Sequence, residues 1–207
     1  MFSLRLAAGI ALLMGVCGCS ASIGYRPDYV PDKEVIAEEV VTGRVLVYTT
    51  RTDDDRLVTT GGTNFNQSNF KLTIPIGMMT REIAVKVFSE VTTDGVAAAN
   101  DLTDAGRYAL VVRPENKGFR YGLPELKNLG FAATPEVQIE MKVSVIDASG
   151  KAVFEKDYVS EVVQGKAVMM STQPYELVNR LAHETIYDLM RHAAADIGAY
   201  QRSTSVP

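Results

Sequence analysis

The chain has 207 residues, 46% of them hydrophobic and 22% charged, with a formal net charge of −4 and a pI near 5.3. The apolar share excludes a wholly disordered chain, and the acidic balance runs against a nucleic-acid binder, which needs a basic footprint. Two cysteines and two histidines are too few for a disulfide scaffold or a Cys/His zinc site, and the length suits one domain, or two small ones.

The first residues carry an address. Met1-Phe2-Ser3-Leu4-Arg5 brings one positive charge, and an apolar run follows from Leu6 to Val16. Such a run falls short of the roughly 20 residues that span a bilayer. It matches the apolar core of an export signal. The run ends on Val16-Cys17-Gly18-Cys19-Ser20, which resembles a bacterial lipobox. The small Gly18 precedes Cys19, whereas the bulkier Val16 precedes Cys17, so Cys19 is the better acceptor. A plain secretory signal with incidental cysteines and a retained transmembrane anchor are the alternatives. On the lipobox reading, residues 1–18 are a signal peptide and Cys19 carries a thioether-linked diacylglycerol and, usually, an amide-linked third chain. Each buried CH₂ adds about 0.8 kcal/mol, so two or three chains hold the protein on the membrane. By the same resemblance, Ser20 after the cysteine implies sorting to the outer membrane, with the domain facing the periplasm. Removing residues 1–18 from the 207 leaves 189, whose one cysteine is Cys19. No intramolecular disulfide can then form.

Residues 19–42 predict the lipidated cysteine and an extended tether. Pro27 and Pro31 favour extended backbone, and ten to twenty such residues at about 3.1 Å each would stand the domain some 30–60 Å off the membrane. Tyr25, Tyr29 and Val30 offer the alternative of pinning this segment to the domain. Residues 35–41 fit a first strand or a short helix. Residues 44–51 are β-branched and aromatic-rich and predict a strand, Asp53-Asp54-Asp55 a turn, and 56–60 its returning partner. A polar loop over 61–69 precedes an alternating strand over 70–75. Met79, Ile83, Val87 and Val91 fall four apart and predict a helix over 77–91, with Asp94-Gly95 as the turn beyond it. A strand over 108–113 runs into what reads as an irregular stretch over 114–124. Val137, Ile139, Met141, Val143 and Val145 alternate with polar residues and give the clearest strand, turning at Asp147 and Gly150 into a returning strand over 151–163. The last helix begins at Pro174, carries Val178, Leu181, Ala182, Ile186, Leu189, Met190 and Ile197, and ends at Gly198, leaving a loose tail over 199–207.

Two amphipathic helices and several strands predict an α+β fold: a two-layer sandwich over residues 43–198, with a mixed or antiparallel sheet and both helices on one face.

Chemistry is sparse. No nucleophile elbow, phosphate loop, dinucleotide fingerprint or zinc-protease signature is present, so no catalytic residue, metal or cofactor is assigned. His183 and His192 stand nine apart, off the apolar stripe. They predict solvated surface residues, with a base or metal ligand as the alternative; replacing His183 should cost little beside Leu181. Asp53-Asp54-Asp55 lacks the alternating ligands of a calcium loop, and Asn100, Asp101 and Asp104 predict another acidic surface loop. Met79 belongs to the core stripe, whereas Met169 and Met170, with Phe65 and Met78, are apolar residues near loops or helix starts. Arg113, Lys117, Phe119, Arg120 and Tyr121 mix cations with aromatics, the composition of binding surfaces. They are the candidate partner-binding residues, with an ordinary charged loop as the alternative.

The strands, the Ile76-Gly77 entry into a helix, the hairpin turning at Asp147 and Gly150, and the closing helix resemble small proteobacterial lipoproteins. The pattern is closest to the YajG-type and ABC-transport auxiliary lipoproteins and looser to the lipopolysaccharide-assembly lipoprotein. The resemblance implies no catalysis. It implies an accessory or assembly role in a cell-envelope complex, partnered with the membrane through Cys19 and with an envelope protein. A lipid-, glycan- or small-ligand-binding lipoprotein is the alternative.

Overall fold

The computed structural model describes residues 20–34, 36, 39–61, 71–124, 132–147, 149–169 and 174–204. Cys19, the signal segment, Phe65 and Met170 lie outside them.

In chain order the elements are β1 (Ser20–Ser22), β2 (Val45–Tyr48), α1 (Arg51–Asp54), β3 (Val58–Gly61), β4 (Lys71–Ile74), α2 (Ile76–Val91) and β5 (Val96–Ala99). There follow β6 (Leu110–Gly122), β7 (Ala132–Ala133), β8 (Glu136–Ile146), β9 (Ala152–Val159), β10 (Val163–Gln164), β11 (Val168–Met169) and α3 (Pro174–Thr204). The main sheet runs β10-β8-β6-β2-β5, with β9 also on β8. It is mixed: β2 is parallel to β5 and β6, whereas β8 is antiparallel to β6, β9 and β10. A small sheet, β1-β4-β3, and a β11-β7 pair complete the strands. Helices α2 and α3 pack on each other and on the main sheet. The α+β sandwich expected from the periodicity is the fold.

The predicted alternation places the core. Val137, Ile139, Met141, Val143 and Val145 of β8 are buried against the helices, as are Met79, Ile83, Val87 and Val91 of α2. Central β2 is buried on both faces, as a parallel strand covered twice must be. Val45 and Val47 enter the main core, and Leu46 enters a smaller cluster with Ala105, Val111 and Ile146. Gly77 lets α1 approach the start of α2, since a Cβ there would lie 1.8 Å from the Asp53 carbonyl oxygen.

Several local expectations are corrected. Asp53-Asp54-Asp55 does not turn a hairpin: Thr50 caps α1, accepting from the Asp53 N–H and answered by the Asp53 carboxylate in a capping box. The 56–60 segment returns to β4 rather than to β2. Val96–Ala99, a short alanine-rich run without a strand pattern, is a parallel neighbour of β2. The stretch over 114–124 is not irregular, because its residues to Gly122 continue β6 along β8 with one register shift between Asn116 and Gly118. Gly198 does not cap α3, which runs on to Thr204 at about 1.5 Å per residue, so the tail from 199 is mostly helix.

The segment after residue 20 lies on the domain. β1 adds to β4 in parallel, Ile23 N donates to Thr73 O, and Ile23 and Val30 are buried. Val41 makes an isolated bridge with Thr92. The pinned alternative is therefore the one observed, and the extended tether is not.

Candidate interaction surface and the strap on the last helix

The five candidate residues are split by the strand they share. Cross-strand partners point to the same face of a sheet. Phe119 pairs with Ile139 and Tyr121 with Val137, so both aromatic rings enter the helix-side core. They stack with centroids 6.3 Å apart, and burial pushes the Tyr121 phenol up to about 12. They are core residues and do not project as loop anchors. Arg113 pairs with Ser144 and Arg120 with Gln138, on the opposite face.

That opposite face is a ladder of ion pairs. Arg113 reaches Asp53 at 3.2 Å and Glu115 at 3.3 Å, and Lys117 reaches Glu115 at 3.2 Å. Arg120 stands 3.7 Å from Glu140, and Lys142 stands 2.6 Å from Glu155. Burial raises the Asp53 carboxyl, but hydrogen bonds from Thr50 and Arg113 outweigh it and hold the group below its ordinary range. The structure thus brings Arg113, Lys117 and Arg120 together with balancing carboxylates. The Arg120 side chain is 69% exposed, so its charge is open to a partner.

Beside this face the sheet edge carries exposed Val153, Val159 and Val162. A groove of about 380 Å³ lies between that edge and α3, lined by Val159, Glu161, Glu184, Thr185, Asp188 and His192. The Thr185 hydroxyl is buried with no hydrogen-bond partner among the described residues. Among those residues no cluster of three His, Cys, Asp or Glu side chains could hold a metal, and no helix is long and apolar enough to cross a membrane.

The polar stripe of α3 is the feature sequence reasoning missed. Asn179, His183, Tyr187 and Arg191 fall four apart, and all are buried. Asn179 Nδ2 donates to the Gly24 carbonyl at 3.0 Å, and the Arg26 N–H donates to His183 Nε2 at 2.9 Å. The His183 ring stacks on Tyr25 and meets Tyr29 edge-on, at 5.5 and 5.7 Å. Arg191 donates to the Lys33 and Glu34 carbonyls and pairs with Glu39. Farther along, Thr42 and Gln201 exchange two hydrogen bonds of 2.9 Å. The described residues between 20 and 42 therefore form a strap laid along α3. His183 is not a solvated surface residue. Its Nε2 accepts, so the ring is neutral, with Nδ1 2.8 Å from the Asn179 carbonyl oxygen. Burial is the main cause that lowers its pKa, and Arg26 adds to it against Asp28 and the Asn179 carbonyl. His192, by contrast, is exposed on the groove.

No protein-family model matches the chain, and no curated protein does. Among solved structures the chain is similar to a minor lipoprotein from Acinetobacter baumannii, with 15% identity, 76% of this chain and 93% of that one covered, and a TM-score of 0.37. It is similar to a Caulobacter crescentus CB15 protein assigned as a lipoprotein, with 13% identity, 64% and 87% covered, and a TM-score of 0.40. It is also similar to a PelC dodecamer from Paraburkholderia phytofirmans, with 13% identity, 76% and 91% covered, and a TM-score of 0.30.

Proposed function

We propose that the protein is a lipoprotein of the bacterial envelope, held on the outer membrane by diacylglyceryl Cys19 and facing the periplasm. It acts there as a non-catalytic accessory or assembly subunit of an envelope complex. The observation that carries this reading is the sequence Val16-Cys17-Gly18-Cys19-Ser20, with Ser20 already in strand β1. The strand, helix and hairpin order that resembles YajG-type and ABC-transport auxiliary lipoproteins supports the accessory role.

The partner-binding residues of this reading are Arg113, Lys117 and Arg120, on the open sheet face. Paired surface cations can exchange partners at little cost, because exposed ion pairs contribute only about 0–1 kcal/mol. Phe119 and Tyr121 hold the strand from beneath. Metabolic labelling with a palmitate analogue tests the anchor: Cys19→Ala abolishes labelling and Cys17→Ala leaves it. Label on the Cys19→Ala chain would refute the assignment.

A second reading, a small-ligand binder, is favoured by the groove beside α3, whose 380 Å³ lies within the usual ligand range. Its Glu161, Glu184 and Asp188 suit a cationic ligand. Native mass spectrometry of the purified protein separates the two, since a copurified small molecule lost on Asp188→Asn would favour this second reading.

A further inference from the structure

We propose that the domain sits directly on the bilayer that holds Cys19, with the strand row Ser20, Lys71 and Gly61 in the headgroup layer. This rests on the lipidated Cys19 proposed above. Ser20 is already the first residue of β1, with Lys71 as its strand partner, and Gly61 is the partner of Lys71 on the other side. Consecutive Cα atoms are about 3.8 Å apart. One peptide unit therefore separates the lipidated residue from a hydrogen-bonded sheet.

The polar layer of one leaflet is only about 5–8 Å deep. With the glyceryl group of Cys19 at the acyl boundary, the first strand row stands within or against that layer. Rows rise about 3.3 Å each, so the Thr59 and Thr73 row two steps on lies about 7 Å farther out. Lys71, exposed in the first row, places a cation where lipid phosphates lie.

The strap cannot lengthen this spacing without coming off the domain. Ile23 is bonded to Thr73, Gly24 to Asn179, Arg26 to His183, Lys33 and Glu34 to Arg191, and Thr42 to Gln201. All but the first lie along α3 from Asn179 to Gln201, and the buried Ile23 and Val30 add apolar contact. Releasing them to make a tether would break a hydrogen-bonded strand and uncover a buried histidine. A domain of this length has a radius of gyration of about 16 Å, so its working surfaces lie within about 40 Å of the bilayer. The fold thus fits work at the membrane surface.

The full chain carrying Lys71→Cys tests this. After processing, its other cysteine is Cys19, blocked by the lipid, so an environment-sensitive fluorophore goes to position 71 alone. The protein is reconstituted in phosphatidylethanolamine and phosphatidylglycerol vesicles containing a headgroup spin-labelled lipid. A companion variant inserts twenty Ser/Gly residues, beginning with Ser, between Cys19 and Ser20. Such a linker has a root-mean-square span of about 25 Å. The native spacing should show quenching at least threefold stronger than the companion. Strong quenching in both also supports the seat and assigns it to the face itself. An acylated protein of native spacing whose label stays unquenched would overturn it. Mass spectrometry of the N-terminal peptide reads acylation separately: an unmodified Cys19 refutes the anchor, and an acylated, unquenched protein refutes only the seat.

Discussion

His183→Ala should be among the most damaging single substitutions on α3. The side chain is fully buried, between Tyr25 and Tyr29, and accepts the Arg26 N–H. Leaving that donor without a partner costs about 1–3 kcal/mol, and each lost aromatic contact adds about 0.5–1.5 kcal/mol. The sum, about 2–6 kcal/mol, is a large part of the roughly 5–15 kcal/mol that holds a domain together. For a domain of this size it lowers Tm by about 4–24 °C. Thermal unfolding of the non-acylated domain measures it, with exposed His192→Ala as the control, expected within about 0.5 kcal/mol of wild type. Linkage gives a second readout. The folded pKa lies below the ordinary 6.5, chiefly because burial disfavours the imidazolium. The unfolded chain therefore binds the proton more tightly, and the stability due to neutral His183 is present above pH 6.5. It falls as pH drops through 6.5 towards the lowered folded value. The groups around the ring are Tyr25, Arg26, Asp28 and Tyr29 from the strap, and Tyr29 in turn meets Glu176 and Arg180 of the helix. Wild type should lose stability across this window, before the carboxylates titrate, and His183→Ala should lose none of it. Equal Tm for the two histidine variants, or the same pH slope in wild type and His183→Ala, would refute the reasoning.

Ile186→Ala, at a fully buried site on α3, should cost about 2–5 kcal/mol by chemical denaturation. Gly77→Ala should also destabilise, because its Cβ would overlap the Asp53 carbonyl; unchanged unfolding would show that α1 shifts freely. Arg113, Lys117 and Arg120 replaced together by Ala should leave a folded domain, at a cost of up to about 1 kcal/mol for each ion pair removed, while complementation of a deletion strain and recovery of crosslinked envelope partners are lost. A folded, acylated triple variant that complements fully would remove this face as the partner surface. Phe119→Ala should instead behave as a core truncation, costing about 3–5 kcal/mol.

Much of the fold was legible where one physical cause acted alone. Alternation over β8 and the four-residue spacing over α2 each report a single buried face, and both were placed within a residue or so. The last helix defeated the same reasoning because it is covered twice. Its apolar residues face the sheet, and its second buried stripe, Asn179, His183, Tyr187 and Arg191, is polar because it binds backbone and side chains of a strap. Hydropathy assigns such a stripe to water. A buried polar group must be paired, and the partners lie some 150 residues away in sequence, where no local pattern can show them. The regular spacing of four polar residues capable of directed hydrogen bonds was the available signal.

The candidate surface failed in part for a different reason, local to β6. Val112, Pro114 and Asn116 occupy the helix side at even positions, and Phe119 and Tyr121 occupy it at odd ones. The change of parity is the extra residue of a β-bulge at Lys117, which a strict two-residue period reads as the end of a strand. Pro114 strengthens that misreading, since proline removes a ladder donor. The strand tolerates it because β2 pairs only with Leu110, Val111 and Val112, so beyond Val112 one edge of β6 has no strand paired with it among the described residues. The composition that marked this stretch as a binding loop, cations beside aromatics, is what a bulged strand with one wet and one buried face must have. Its aromatic residues report the core, and only Arg113, Lys117 and Arg120 remain to meet a partner. Under the proposed accessory role, the partner surface is then a flat, charge-balanced sheet face, better suited to exchanging ion pairs with another folded surface than to gripping a peptide in a cleft.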